Sequence, residues 1–572
     1  MVHQPKPFWS RTFSYAHPAW TRTMGRESGA SDIIKPDLNS MLPHTKEAGF
    51  DIYSNTEDAY AENVPAEDEW FVEDTKNRYP YMQHVKELSG AWPHLRYLAQ
   101  WMEVTTSPVK WKQFKQLGPR KDFYRNERAA RTKVAVVDFS PDGTVEVLPT
   151  IERSSNLCET LQEGQPSGVN RLYIVEDLSR DMIEHLGKEL DIDPLFFREQ
   201  INDYWWYNTR DPWVELPDLD VVARERSFFR LTYVQPRYFK EKDSFLKAKL
   251  QAGKFNVLRR LDDDSEHKAL FDNDNAIVAL VRSKASLWIK PRMNDEEGNF
   301  TGVLLVDPSI TEGHALWNGY RPFWNSPSYS DRRDGYPKRQ KETLFDDLLF
   351  WIRHMSPQDV VSINTNPKAM MYRMTQVICS DWLLLNRYIM ARLGQIEWEL
   401  ERADLRPDAN SIDASLAKLH TWRRRLPLYR NMVDDTQHKL FDDIKDGHVD
   451  CISKMQKDFE IVSKGFDDLY GRTERIATVA TAVTAIEENR RAVDQNRAVT
   501  RLTYLAVIFA PLSFISSFFS MTEDLSSLTN TIWIYFSVAI PVSIVAFLLV
   551  DPTVLSLLGG LLPGKRDKKK KM

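Results

Sequence analysis

The chemistry-bearing pattern that stands out is a stripe of small and hydroxylated residues near the C-terminus. Asn496, Val499, Thr503, Ala506, Ala510, Ser513, Ser517 and Ser520 recur at spacings of three and four, which puts them on one face of a helix. Beyond the stripe stand two acids, Glu523 and Asp524. The other face carries Tyr504, Leu505, Ile508, Phe509, Leu512, Ile515, Phe518 and Phe519. Two readings of the stripe are open. Small residues let helices approach closely. Alternatively, several copies could arrange the stripe around water, where hydroxyls and carbonyls replace part of an ion's hydration shell.

Other chemistries lack their residues. There is no Gly-rich phosphate loop, no H-E-x-x-H and no G-x-S-x-G, so no enzyme is expected. The formal net charge of −5 goes with no basic, aromatic-interleaved patch, so nucleic acid is not an expected partner. Cys158, Cys379 and Cys451 are far apart and unpaired by spacing, which suits reduced thiols. No cofactor is implied.

The elements that must hold the stripe follow from hydropathy. Leu502–Met521 and Ile532–Val550 carry no charge, and each is long enough for a hydrocarbon core of about 30 Å. Arg490, Arg491, Arg497 and Arg501 precede the first; Lys565, Arg566 and Lys568 to Lys571 follow the second. The connection holds only Glu523 and Asp524 as charges, so the positive-inside rule places both termini in the cytoplasm. A lipid bilayer is therefore an expected partner. The N-terminus lacks the apolar core of a signal peptide. Residues 1–26 carry Lys6, Arg11, Arg22 and Arg26 and no acid, a composition shared by organelle presequences and disordered tails. The plasma membrane is the first expectation, with vacuolar and mitochondrial membranes as alternatives.

Upstream, residues 1–65 read as a disordered tail and 66–169 as an extension with short helices and a hairpin. Val134–Val137 and Val145–Val147 flank Asp142-Gly143, a tight-turn pair. A cytoplasmic α/β domain is expected over 170–339. Its strands are Arg171–Val175, Ser227–Val234, Ala276–Arg282, Ser286–Lys290 and Gly302–Val306, with acidic loops such as Asp262–Asp264 between them. Ser179 suits an N-cap. A helical bundle and stalk follow over 340–501, in stretches near 340–403, 411–445 and 450–500. The last carries a seam of Phe459, Val462, Phe466, Leu469, Ile476, Val479, Val483, Ile486 and Val493. Nothing breaks it before the first span, so one helix from Phe459 to Met521 would be roughly 95 Å long. Helix 502–521, a loop over 522–531, helix 532–550 and a basic tail over 551–572 complete an α+β membrane protein.

The run from Asn496 to Met521, NRAVTRLTYLAVIFAPLSFISSFFSM, resembles the membrane segment of the CorA family of magnesium channels. That pattern runs Asn, Leu-Thr, Pro-Leu-Thr/Ser-Phe and Gly-Met-Asn. Asn496, Leu502, Thr503, Pro511, Leu512, Ser513, Phe514 and Met521 match it. Arg171–Ile201 looks like the start of the family's cytoplasmic domain, and the chain is most similar to the CorA-like proteins of filamentous fungi. The resemblance covers roughly residues 170 to 572. It implies a homopentamer whose first spans line a pore for a divalent cation, Mg2+ first and Zn2+, Co2+ or Ni2+ as alternatives. The hydrated ion would meet Ser520, Met521 and Thr522 at the mouth, with Glu523 and Asp524 concentrating cations there. Ser513 and Asn496 would face the pathway further in. Gly-Met-Asn is here Ser520-Met521-Thr522, which replaces a permissive glycine and a carboxamide. A non-conducting membrane-anchored scaffold or sensor is therefore the second reading. For regulatory metal, the resemblance offers Asp434, Asp435, Asp442, Asp443, Asp446, Asp467 and Asp468, which also suit a solvated acidic face.

Overall fold

The computed structural model describes residues 78–105, 121–201, 218–259, 261–263, 275–291, 299–319, 343–401, 410–441, 450–520 and 528–550, with isolated positions between 323 and 331. The expected tail over 1–65 and the basic tail over 551–572 lie outside them.

Among the described residues the first helices are α1 (Pro80–Ala91), α2 (Arg96–Val104) and α3 (Lys121–Ala130). The expected hairpin follows as β1 (Val134–Phe139) and β2 (Val145–Val147), in register at Val137 and Val147. Its turn uses Gly143 at φ +88, and Asp142 Oδ1 accepts from Thr144 N at 2.9 Å. Then come α4 (Ser154–Glu163), β3 (Asn170–Glu176), α5 (Arg180–Leu190), α6 (Pro194–Ile201), α7 (Asp220–Glu225), β4 (Phe228–Phe239) and α8 (Lys242–Lys254). Strands β5 (Leu261–Asp263), β6 (Ile277–Ile289), β7 (Thr301–Val306) and β8 (His314–Ala315) complete a sheet ordered β2-β1-β3-β7-β6-β4-β8, with β5 on β6. Only β3 and β7 pair in parallel among the described strands. Ser179 caps α5 as its sequence position predicts, Oγ accepting from Met182 N at 3.3 Å.

Alternate residues of the central strands feed two cores. Ala135, Val137, Leu172, Ile174 and Leu304 pack with the helices after residue 343. Val134, Val136, Tyr173, Val175, Val303 and Leu305 pack with α1, α2, α5 and α6. Burial on both faces explains why these strands are continuous apolar runs. The N-terminal extension is fixed to the second core. Glu184 accepts from Tyr81 N and Met82 N at 2.8 and 2.9 Å, and Tyr81 Oη donates to Ile192 O at 2.6 Å.

Three sequence expectations are corrected. Ala276–Arg282 and Ser286–Lys290 are one strand, β6, because its polar centre is buried with partners: Lys284 Nζ donates to Glu199 O at 2.8 Å and Ser286 Oγ to Gln200 Oε1 at 2.8 Å. Asp262 sits in β5, not in a loop, and is buried against Arg282 at 2.8 Å. The helical stretch near 340–403 is interrupted. Helices α9 (Leu344–Arg353) and α10 (Pro357–Val361), with short turns to Met371, precede α11 (Tyr372–Glu401), and Pro357 and Pro367 each open a new segment.

Helices α12 (Asn410–Phe441) and α13 (Gln456–Phe519) pack with α11, and α14 (Leu528–Val550) returns along the end of α13. Helix α13 runs unbroken for 64 residues, about 96 Å at the α-helical rise. Its seam is buried at Phe459, Val462, Phe466, Leu469 and Ile476. Further along it opens to solvent: Val479, Ile486 and Val493 are about half exposed, at 52%, 53% and 50%.

Candidate functional site

The end of α13 is the one helix among the described residues long and apolar enough to cross a membrane. Only 6% of its most apolar stretch is buried, which separates it from the core helix of a soluble protein. Helix α14 is apolar over Ile532–Val545.

The two helices divide the faces of α13. Ile515 is buried and Tyr504, Ile508 and Leu512 are half-buried, while Ala539 of α14 is wholly buried. Tyr535 Oη of α14 donates to Leu512 O at 3.4 Å, tying the pair together. On the other side every stripe position, Asn496, Val499, Thr503, Ala506, Ala510, Ser513, Ser517 and Ser520, is exposed. Leu505 and Phe509, expected with the apolar face, are exposed as well, at 51% and 63%. So α14 covers one apolar side of α13 and leaves the small-residue side open.

The hydroxyls on or next to this side are turned inward as donors. Thr500 Oγ1 donates to Asn496 O at 2.7 Å, Thr503 Oγ1 to Val499 O at 2.9 Å and Ser513 Oγ to Ala510 O at 3.3 Å. With the proton spent on the helix backbone, each oxygen keeps lone pairs for an outside donor. The water shell of a metal cation presents such donors. Pro511 sits within the helix and supplies no N–H, which takes from the Val507 carbonyl its usual partner.

At the outer end, Ser520 N still donates to Ser516 O at 3.0 Å, so the backbone at Ser520 continues the helical bonding. Of the other expected mouth residues, Met521, Thr522, Glu523 and Asp524 lie outside the described residues. Asn496, Ser513 and Ser520 share the open face, separated along the helix.

The acids proposed for regulatory metal are placed differently. Arg430 lies between Asp434 and Asp467, at 3.5 and 3.0 Å, and Lys439 pairs with Asp435 at 2.7 Å. Ser463 Oγ donates to Asp434 at 2.8 Å. A cation site there would compete with the chain's own cations. Among the described residues no group of His, Cys, Asp and Glu is arranged to hold a metal ion. Asp442, Asp443 and Asp446 lie outside the described residues.

Residues 359–551, from α10 through both apolar helices, match the family described as CorA-like Mg2+ transporter protein. The chain carries a CorA-like domain. No curated protein sequence matches the chain. Among solved structures, the CorA magnesium transporter from Methanocaldococcus jannaschii is similar at 12% identity and a TM-score of 0.36, over 73% of this chain and 96% of that one. The full-length CmaX protein is similar at 10% and 0.30, over 68% and 86%. The soluble domain of the Methanocaldococcus jannaschii CorA is similar at 11% and 0.28, over 61% and 95%. The CorA-like domain thus contains the whole stripe, while the sheet lies before the matched segment.

Proposed function

We propose that this chain is a CorA-like divalent-cation channel, with Mg2+ as the first candidate and Zn2+, Co2+ or Ni2+ as alternatives. The apolar segments Leu502–Met521 and Ile532–Val550 would both span the bilayer, with the termini on the cytoplasmic side. Several copies, five by family resemblance, would turn their stripes toward a shared wet axis. The observation that carries this reading is the division of α13: α14 covers the apolar side and leaves Asn496, Thr503, Ala510, Ser513 and Ser517 open. The half-exposed Val479, Ile486 and Val493 continue the need for neighbouring copies along the stalk.

Transport would be passive. A dication crossing the field gains roughly 4.6 kcal/mol per 100 mV, twice the value for a single charge. Hydroxyl oxygens whose protons are bonded to the backbone suit the outer waters of a hydrated ion, and Mg2+ sheds those waters reluctantly. Liposomes holding the full chain and a metal-sensitive dye test the reading. Potential-driven entry of a divalent ion is expected, and correct insertion without flux of any divalent ion contradicts it.

The departure at Ser520-Met521-Thr522 favours a second reading, a non-conducting anchored scaffold or metal sensor. Ser520→Gly with Thr522→Asn separates the two. Magnesium flux gained from a silent parent supports the scaffold, while flux already present in the parent supports the channel.

A further inference from the structure

A cleft between the sheet and α11 is left without a role by the pathway. Strand β8 is two residues long, and Arg237 of β4 fastens the chain just before it: Nε donates to Glu312 O at 2.9 Å and Nη2 to Gly313 O at 3.1 Å. Just after β8 the backbone is strained. Trp317 has φ +52 and Asn318 φ +64, left-handed values that a bulky side chain rarely adopts. The indole gains little burial in return, being 53% exposed. What the conformation achieves is to set Trp317 in the wall of the cleft.

The cleft has a volume of about 380 Å3, within the range of small-molecule sites. Three elements build it. Strands β4 and β8 give Tyr238 and His314, register partners whose rings lie 5.3 Å apart. The turn after β8 gives Trp317, and α11 gives Tyr388 with Arg392 one turn further on. The Arg392 guanidinium stands over the Tyr388 ring at 5.0 Å, and its Nη1 donates to Gln395 Oε1 at 2.9 Å. Four of the ten described lining residues thus carry aromatic rings, and Arg392 carries the one formal charge among them at neutral pH. Aromatic faces accept a flat ring by stacking. A guanidinium repels cations and takes phosphate or carboxylate through two parallel hydrogen bonds.

We propose that this cleft binds a planar aromatic anion, a purine nucleotide being the first candidate, with the ring on the side of Tyr238, His314 and Trp317 and the anionic group at Arg392. The strained Trp317 is then a ligand clamp, the kind of place where backbone strain is kept. Such a site stands independently of the membrane and transport readings.

Equilibrium dialysis of the full chain in detergent against AMP, GMP, adenosine and inorganic phosphate tests it. AMP or GMP should bind saturably at one site per chain, about tenfold tighter than adenosine, and phosphate should not compete at equal concentration. Trp317→Gly, which suits the left-handed backbone, should keep or raise the melting temperature while weakening the nucleotide about tenfold. Arg392→Gln should bring the nucleotide to the level of adenosine, and Arg392→Lys should retain part of the difference. No saturable binding of AMP or GMP overturns the proposal. Binding that Trp317→Gly and Arg392→Gln both leave unchanged also overturns it, because the nucleotide then sits elsewhere. A loss with Trp317→Gly alone overturns the anionic assignment.

Discussion

The carboxamide of Asn386 in α11 rests on Gly465 in α13: a Cβ at 465 would fall 2.1 Å from Asn386 Nδ2. Asn386 is itself buried, and its Nδ2 donates to Val462 O at 3.4 Å. Trp382 and Phe466 meet edge to face beside it at 5.6 Å. The glycine marks where the long helix is keyed into the soluble body.

Gly465→Ala sets two effects against each other. Alanine improves helix propensity by about 1 kcal/mol, while overpacking a filled site costs about 1–3 kcal/mol. The single variant should be neutral to about 2 kcal/mol less stable. In an Asn386→Ala background the same change should stabilise, because the clash is gone. Thermal melts of the four proteins in detergent decide it, and the absence of a sign change would mean that the two residues do not constrain each other.

The three thiols should divide sharply in reactivity. Cys379 and Cys451 are buried, and burial pushes both thiols up to about 12. Cys158 is half-buried. A thiol-disulfide reagent at neutral pH should modify Cys158 first and reach the other two only on unfolding, which timed mass spectrometry would show.

Asp177 should leave a signature in the pH dependence of stability. Its backbone is left-handed at φ +56, and its carboxylate accepts from Asn256 N and Val257 N at 3.0 and 2.9 Å. Burial nevertheless outweighs these bonds and raises the group from 3.8 to about 6. A raised pKa means that the fold favours the protonated form. The contribution is therefore complete below pH 4 and is lost as pH rises to about 6. Asp177→Asn, which tolerates the left-handed backbone, should flatten the melting temperature between pH 4 and 6. An unchanged slope would show that Asp177 does not titrate there.

Enlarging the stripe should stop transport without unfolding the protein. Ala510 and Ser513 are exposed, so Ala510→Leu or Ser513→Leu meets no packed neighbour within the chain. Melting temperature should move by less than about 1 kcal/mol equivalent, as for other surface changes, while divalent flux in liposomes falls at least tenfold. Retained flux would place the pathway elsewhere.

Much of this architecture was legible in residue spacing, and the failures have identifiable causes. The seam from Phe459 to Ile476 announced itself because its partners on α11 and α12 are equally apolar. The hairpin at Asp142-Gly143 and the cap at Ser179 were legible because their interactions are local. The sequence of strand β6 reads as two strands because Ser283 and Lys284 look like loop residues until Glu199 and Asp307, distant in sequence, are brought beside Lys284. Asp262 looks like a loop acid for the same reason, its partner Arg282 lying on the neighbouring strand. What Gly465 is for is not legible in the local sequence, because Asn386 reaches it from another helix. The stripe was legible as a face, but which side α14 covers is a tertiary fact. The acids at 434, 435 and 467 were legible as a cluster, whereas their pairing with Arg430 and Lys439 was not.

The central claim is that the open side of α13 looks onto water shared by several subunits. Single cysteines at Ala510, Ser513 and Ser517, in a chain with Cys158→Ser, should react in lipid vesicles with a charged, membrane-impermeant thiol reagent, and the reaction should block metal flux. Cysteines at Leu505 and Phe509 serve as the comparison and should react far more slowly. Stripe positions that stay inert to the aqueous reagent while colliding with lipid-dissolved oxygen would contradict the account.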